Sequence, residues 1–234
     1  MKTTILLSSL ILSAGTLLAA DSAKDQVAAA AKKLADQPNY SWKQTTAAPE
    51  GSRFRRGPTE GKTQKDGLTH VTMSLGDATT QAVRQGDKAA FTDQDGQWQA
   101  ASQAEGGQGR GRFMSRFIQG LSSPAAQAAQ LLEGTKELAK EGDAYTGQLT
   151  PQSVETLLAL GGRGGGQGPT VSNAKGTVKF WIKDGVLSKY EYHVQGSVDR
   201  NGNVRETDRT TTVEIKDIGS TKIEVPAAAK QKLI

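Results

Sequence analysis

The chain has 234 residues, 29 of them Lys or Arg and 24 Asp or Glu, giving a formal charge of +5 that is too diluted over this length to demand a nucleic-acid partner. With no cysteine it has neither a disulfide framework nor a thiol nucleophile, so stability must come from burial and hydrogen bonding. An apolar fraction of 35% alongside 27 glycines predicts a thin core, and mild attraction to anionic lipid or polymer stays compatible with the charge.

The first twenty residues read as a secretory signal. Met1-Lys2 is a short positive start, Ile5 to Leu18 is apolar but short for a bilayer span, and Leu18-Ala19-Ala20 ends in small residues suited to a signal peptidase. Cleavage after Ala20 removes Lys2 and lowers the charge from +5 to +4. No cysteine follows the apolar run, so this is not a lipoprotein leader, and no later segment is apolar enough to anchor the chain. The expected product is a single exported, soluble domain over 21–234, periplasmic or secreted.

Ser22 to Gln37 is Ala-rich, with Val27, Ala30, Ala31 and Leu34 at helical spacing, and Pro38 ends it. Asn39 to Ala47 alternates around Tyr40 and Trp42 and predicts a strand, followed by a loop containing Arg53, Phe54, Arg55 and Arg56. From Gly57 to Ala101, turn signals at Lys65-Asp66-Gly67, Gly76-Asp77, Gly86-Asp87 and Asp95-Gly96 predict a meander of short hairpins. Helices are expected over Phe113–Leu121, Pro124–Glu133 and Pro151–Leu160, the latter two with hydroxyl residues before a first-turn proline. Gly-rich loops at 106–111 and 161–168 bracket them, and Thr135–Leu149 reads as a hairpin turning at Glu141-Gly142-Asp143.

The last stretch, Gly176 to Pro226, reads as three or four antiparallel strands of about a dozen residues. Tyr190, Tyr192, Val194 and Val198 form an apolar face, while Lys189, Glu191, His193, Gln195 and Ser197 form a wet one. Strands this long suit a sheet that curves around something. The predicted fold class is α+β: a curved antiparallel sheet, a half-closed β-barrel, with helices packed in its concave face.

Asp93-Gln94-Asp95-Gly96-Gln97-Trp98 in the middle, and Ile215-Lys216-Asp217-Ile218-Gly219 through Val225-Pro226 near the end, give the chain a pattern that resembles the periplasmic lipoprotein-carrier superfamily, the LolA/LppX-like half-barrels. The resemblance covers roughly Asn39 to Pro226. It implies about eleven strands holding a few helices, with lipid acyl chains or the anchor of a lipoprotein in the hollow. Where LolA proteins carry an arginine-proline feature, this chain has Arg55-Arg56-Gly57-Pro58 with a glycine between, so a gating role is not carried over to Arg56. The absent lipobox makes a soluble shuttle the closer analogue.

Candidate ligand-lining residues are Trp42, Phe54, Phe91, Trp98, Phe113, Phe117, Phe180, Tyr190 and Tyr192, together with Met114; the same side chains would equally make an ordinary core between sheet and helices. Arg53, Arg55 and Arg56 are candidates for holding a headgroup phosphate or another anion, or else a solvated loop. The tract GGRGGGQG at 161–168 resembles an RGG segment, but in an exported chain it reads as a flexible linker or a lid hinge. Asp93–Gly96 and Asp199–Asn203 contain carboxylates near glycine without the later ligands of a calcium loop, so both are assigned to hairpin turns and no metal or other cofactor is expected. His70 and His193 have no metal-ligand spacing, and no nucleophile elbow, Walker loop or dinucleotide fingerprint is present.

Two functions from different classes follow. One is a monomeric, non-catalytic carrier that holds a lipid or a lipidated protein in the half-barrel, exchanging it with a membrane-associated donor or acceptor. The other is an envelope structural or interaction protein that fills the hollow with its own side chains. An envelope hydrolase built from scattered carboxylates ranks third.

Overall fold

The computed structural model describes residues 22–49, 57–75, 78–105, 109–159 and 169–233. The expected signal segment, the arginine run at 53–56 with Phe54, residues 106–108 of the first Gly-rich tract and all of the second at 161–168 lie outside the described residues.

The first helix, α1 (Ala23–Ala35), starts where Ser22 accepts the Asp25 amide while the Asp25 carboxylate accepts from the Ser22 backbone, a reciprocal cap that satisfies two otherwise orphaned donors. Its buried stripe is Val27, Ala30, Ala31 and Leu34. Strands β1 (Asn39–Ala47), β2 (Thr59–Gln64), β3 (Thr69–Leu75), β4 (Ala78–Gln85), β5 (Lys88–Thr92) and β6 (Trp98–Ala100) follow as a meander. Helices α2 (Ala101–Glu105), α3 (Arg110–Gln119) and α4 (Pro124–Glu133) then cross to the hairpin β7 (Thr135–Glu141) and β8 (Ala144–Leu149). The chain continues through α5 (Pro151–Ala159), β9 (Thr170–Lys183), β10 (Val186–Arg200) and β11 (Asn203–Lys216), and ends in the single turn α6 (Ala227–Lys230).

All eleven strands belong to one antiparallel sheet ordered β6-β5-β4-β3-β2-β1-β11-β10-β9-β8-β7. The two meanders meet at its centre, where β1 pairs with β11 from Ser41–Lys216 to Ala47–Thr210. Strands β6 and β7 are left as edges, so the sheet curves without closing, and helices cover its concave face. This is the half-barrel that the sequence resemblance implied.

Tight turns fall where the composition places them. Asn201 and Gly202 both take positive φ, 54° and 82°, as the two central residues of the β10–β11 turn. The long strands are 14, 15 and 14 residues and begin at Thr170, earlier than expected. A fourth strand after Lys216 does not form. Asp217 turns the chain at φ 51°, its carbonyl accepts the Thr221 hydroxyl, and the Gly219 amide is spent on the Asn39 carbonyl, leaving no ladder to extend. The short helix α2 was also not expected; the buried Ser115 hydroxyl of α3 donates to the Ala101 carbonyl at 2.8 Å and fixes it.

Glycine lets the helices lie close on the sheet at two places. A Cβ on Gly176 of β9 would come within 2.8 Å of the His193 carbonyl and 2.9 Å of Val154 on α5. One on Gly196 of β10 would meet Leu158, the next buried residue of α5, at 2.9 Å. These two glycines are the floor on which α5 rests.

Candidate functional site

Opposite partners in an antiparallel ladder share a face, so the register gives the composition of the concave surface. Trp42 lies opposite Ile215 and Gly61, Tyr190 opposite Val213 and Phe180, Tyr192 opposite Thr211 and Val178, and Val71 opposite Gly61 and Ala82. Trp42 lays its indole across Gly61, where a Cβ would sit 2.2 Å from the ring, and its Nε1 donates to the Thr63 hydroxyl at 3.1 Å.

The centre of the hollow is filled by the protein itself. Phe91, Phe180, Tyr190, Leu34, Met114 and Ile118 are almost wholly inaccessible to solvent. The Phe180 and Tyr190 rings are 6.4 Å apart, and the Tyr190 hydroxyl donates to Gln127 of α4 at 2.6 Å. Burial pushes the Tyr190 hydroxyl well above the ordinary tyrosine range, with Tyr192 and Tyr40 reinforcing it. Tyr40 is raised too, again by burial, against the opposing hydrogen bonds with Ser123, the Ala125 backbone and Thr63.

Of the candidate lining residues, Trp42, Phe91, Phe180, Tyr190 and Tyr192 are therefore placed in the core, and Trp98 is half-buried in edge strand β6. Phe113 and Phe117 are placed differently. They stack at 6.4 Å on α3, Phe113 is 43% exposed, and together with Met114 they face Gly57, Thr59, Met73 and Ser74 across a half-open cleft of about 310 Å³, a figure that includes space open to solvent. Most of that space is open solvent, so the cleft as it stands is far smaller than the roughly 300–1,000 Å³ of a small-molecule pocket. It opens where α3 passes the adjoining ends of β2 and β3.

Two arginines that the sequence did not single out hold the flanking helices. Arg84 lies opposite Thr69 near the lower end of β4; its Nε donates to the Gly86 carbonyl at 2.9 Å and its Nη1 to the carbonyl of Leu121, just past the end of α3. Arg209 of β11 lies opposite Val194, and its Nη2 donates to the Leu157 carbonyl near the end of α5 at 2.7 Å. Burial pulls the Arg209 guanidinium below the ordinary arginine range. A cation placed against the final carbonyls of a helix is favoured by the helix dipole, so each arginine can tether one covering helix to the sheet. Nothing in the local sequence marks them, because the contacts are made across 37 and 52 residues.

Polar groups elsewhere make structural contacts. The Asp93 carboxylate accepts from the Asp95 and Gln97 amides, and Asp199 accepts from Gly202. His193 contacts Asp208 at 2.8 Å on the convex face, and His70 contacts Gln81 at 3.2 Å. Among the described residues no three His, Cys, Asp or Glu side chains gather in a way that could hold a metal ion, and no helix is long and apolar enough to cross a membrane.

No protein-family model and no curated protein matches the chain. Among solved structures it is similar to the lipoprotein LppX of Mycobacterium tuberculosis, with a TM-score of 0.48 and 12% identity over 86% of this chain and 97% of that one. It is similar to LprF of Mycobacterium bovis at 0.48 and 11%, over 88% and 97%. A LolA superfamily protein of Nitrosomonas europaea gives 0.35 and 11%, over 88% and 96%.

Proposed function

We propose that this chain is an exported, non-catalytic binding protein that takes an apolar ligand, the acyl chain of a lipid or of a lipidated protein, into its half-barrel through the cleft under α3. The observation that carries this reading is the pair Phe113 and Phe117: a solvated ring stacked on a half-buried one over Met73 and Met114 at a cleft mouth, where a soluble domain gains nothing from leaving Phe113 in water. Each methylene buried there would contribute about 0.8 kcal/mol. The cleft is too small for a long chain as it stands, so deeper entry requires α3 to lift from β4 and β5 and Arg84 to release Leu121.

Native mass spectrometry of the protein purified from its own envelope fraction, followed by extraction and identification of whatever is released, tests this directly. A discrete co-purifying lipid, and displacement of a bound phenylnaphthylamine dye by fatty acyl chains, is the expected result. A clean apo mass with no uptake of offered lipid sinks the carrier reading. The second reading, an envelope interaction protein with a filled core, would then stand, supported by the closed packing around Phe180 and Tyr190.

A further inference from the structure

The outward arc of α3 differs from that of the other helices. Its sequence RGRFMSRFIQ holds three arginines and no acid. Met114, Ser115 and Ile118 point into the protein, whereas Arg112, Phe113 and Arg116 are exposed and Phe117 lies at the boundary. The nearby carboxylate of Glu105, on α2, is engaged by the Gln119 side chain. An exposed phenylalanine between arginines, on a helix whose other face is packed, has the arrangement of a helix lying in the headgroup layer of a membrane: ring among the upper acyl carbons, guanidinium groups on phosphates.

We propose that α3 docks the protein on an anionic lipid bilayer, with Phe113 entering the interface and Arg112 and Arg116 meeting lipid phosphates. Charge selects this occupant over a neutral membrane, since the exposed arc carries only positive charge. The same surface borders the cleft mouth, so a docked protein would present that mouth to the bilayer. The inference does not depend on whether the cleft holds a ligand.

The absence of cysteine makes the test clean. Phe113→Cys and, as a reference at the exposed tip of the β10–β11 hairpin, Val204→Cys are each labelled with an environment-sensitive fluorophore and mixed with vesicles of phosphatidylglycerol and phosphatidylethanolamine or of phosphatidylcholine alone. A blue shift confined to position 113 and to the anionic vesicles is expected. In parallel, flotation of the unlabelled protein should weaken about fivefold for each arginine removed in Arg112→Gln and Arg116→Gln, at unchanged melting temperature. Equal binding to neutral vesicles, no binding to either, a shift at position 204 instead, or flotation indifferent to both substitutions overturns the proposal. Dye uptake measured without vesicles separates the two readings: uptake without docking removes only this inference, and docking without uptake removes only the carrier.

Discussion

The two wings of the sheet are built to different standards. On the β7–β11 wing the strands run to 15 residues, large rings fill the space under the helices, and tyrosine hydroxyls reach across to them: Tyr190 to Gln127 of α4 and Tyr145 to Gln26 of α1. On the β2–β6 wing the strands have 3 to 8 residues, Phe91 is the one large ring buried beneath the helices among the described residues, and Ala82 and Ala89 of the sheet lie with Ala101 and Ala104 of α2 in the rest of that layer. Small side chains bury less area per residue and make fewer contacts, so the same sheet couples a firmly held helix layer to one that can be displaced at lower cost. The binding function proposed above would need both, since something must stay fixed while something else yields.

The contrast can be broken most severely at Tyr190. Tyr190→Ala leaves a cavity in the firm wing and strands Gln127, and it should cost about 3–5 kcal/mol, read as a fall in the urea midpoint; a loss below 1 kcal/mol would mean that wing is not packed as described. Next in size is Gly176→Val, which drives a branched side chain into the His193 carbonyl and Val154 and should cost about 1–3 kcal/mol by lifting α5.

Alkaline titration probes the same wing without mutation. Tyr190 and Tyr40 have folded-state values raised above the ordinary 10.0, so the stability they lend is complete below pH 10 and is lost as pH climbs above it. The loss should be steepest for Tyr190, up to about 1.4 kcal/mol per pH unit, and Tyr190→Phe should flatten the slope. A melting temperature that stays level above pH 10 would contradict the burial of both hydroxyls. The smallest stability effect belongs to the yielding wing: Phe113→Ser should alter the urea midpoint by no more than about 0.5 kcal/mol, while weakening dye uptake about tenfold. Unchanged uptake would detach the aromatic pair from binding.

Local patterns in the sequence located most of the elements. The Asn201-Gly202 turn, the alternation from Tyr190 to Val194 and the proline-led starts of α4 and α5 are all signals read over a few residues. The site was less legible. Aromatic residues on one sheet face look alike whether they line a cavity or fill a core, and only packing distinguishes exposed Phe113 from inaccessible Phe180. Arg84 and Arg209 were invisible for a further reason: their partners are main-chain carbonyls, which every residue possesses and no sequence pattern advertises.

The pairing of β1 with β11 also governs how the chain can fold. Every other strand pair joins neighbours in sequence order, whereas Ala47 and Thr210 meet across most of the chain. Closing so long a loop is entropically costly and slow, so the two meanders can form early and the central seam only after the last strand is available. Pulse-labelled hydrogen exchange should find the β1–β11 amides protected last, and protection of that seam ahead of the β9–β10 amides would refute the order. A half-barrel joined in its middle stays open along its length until β11, its last strand in chain order, is available to close the seam.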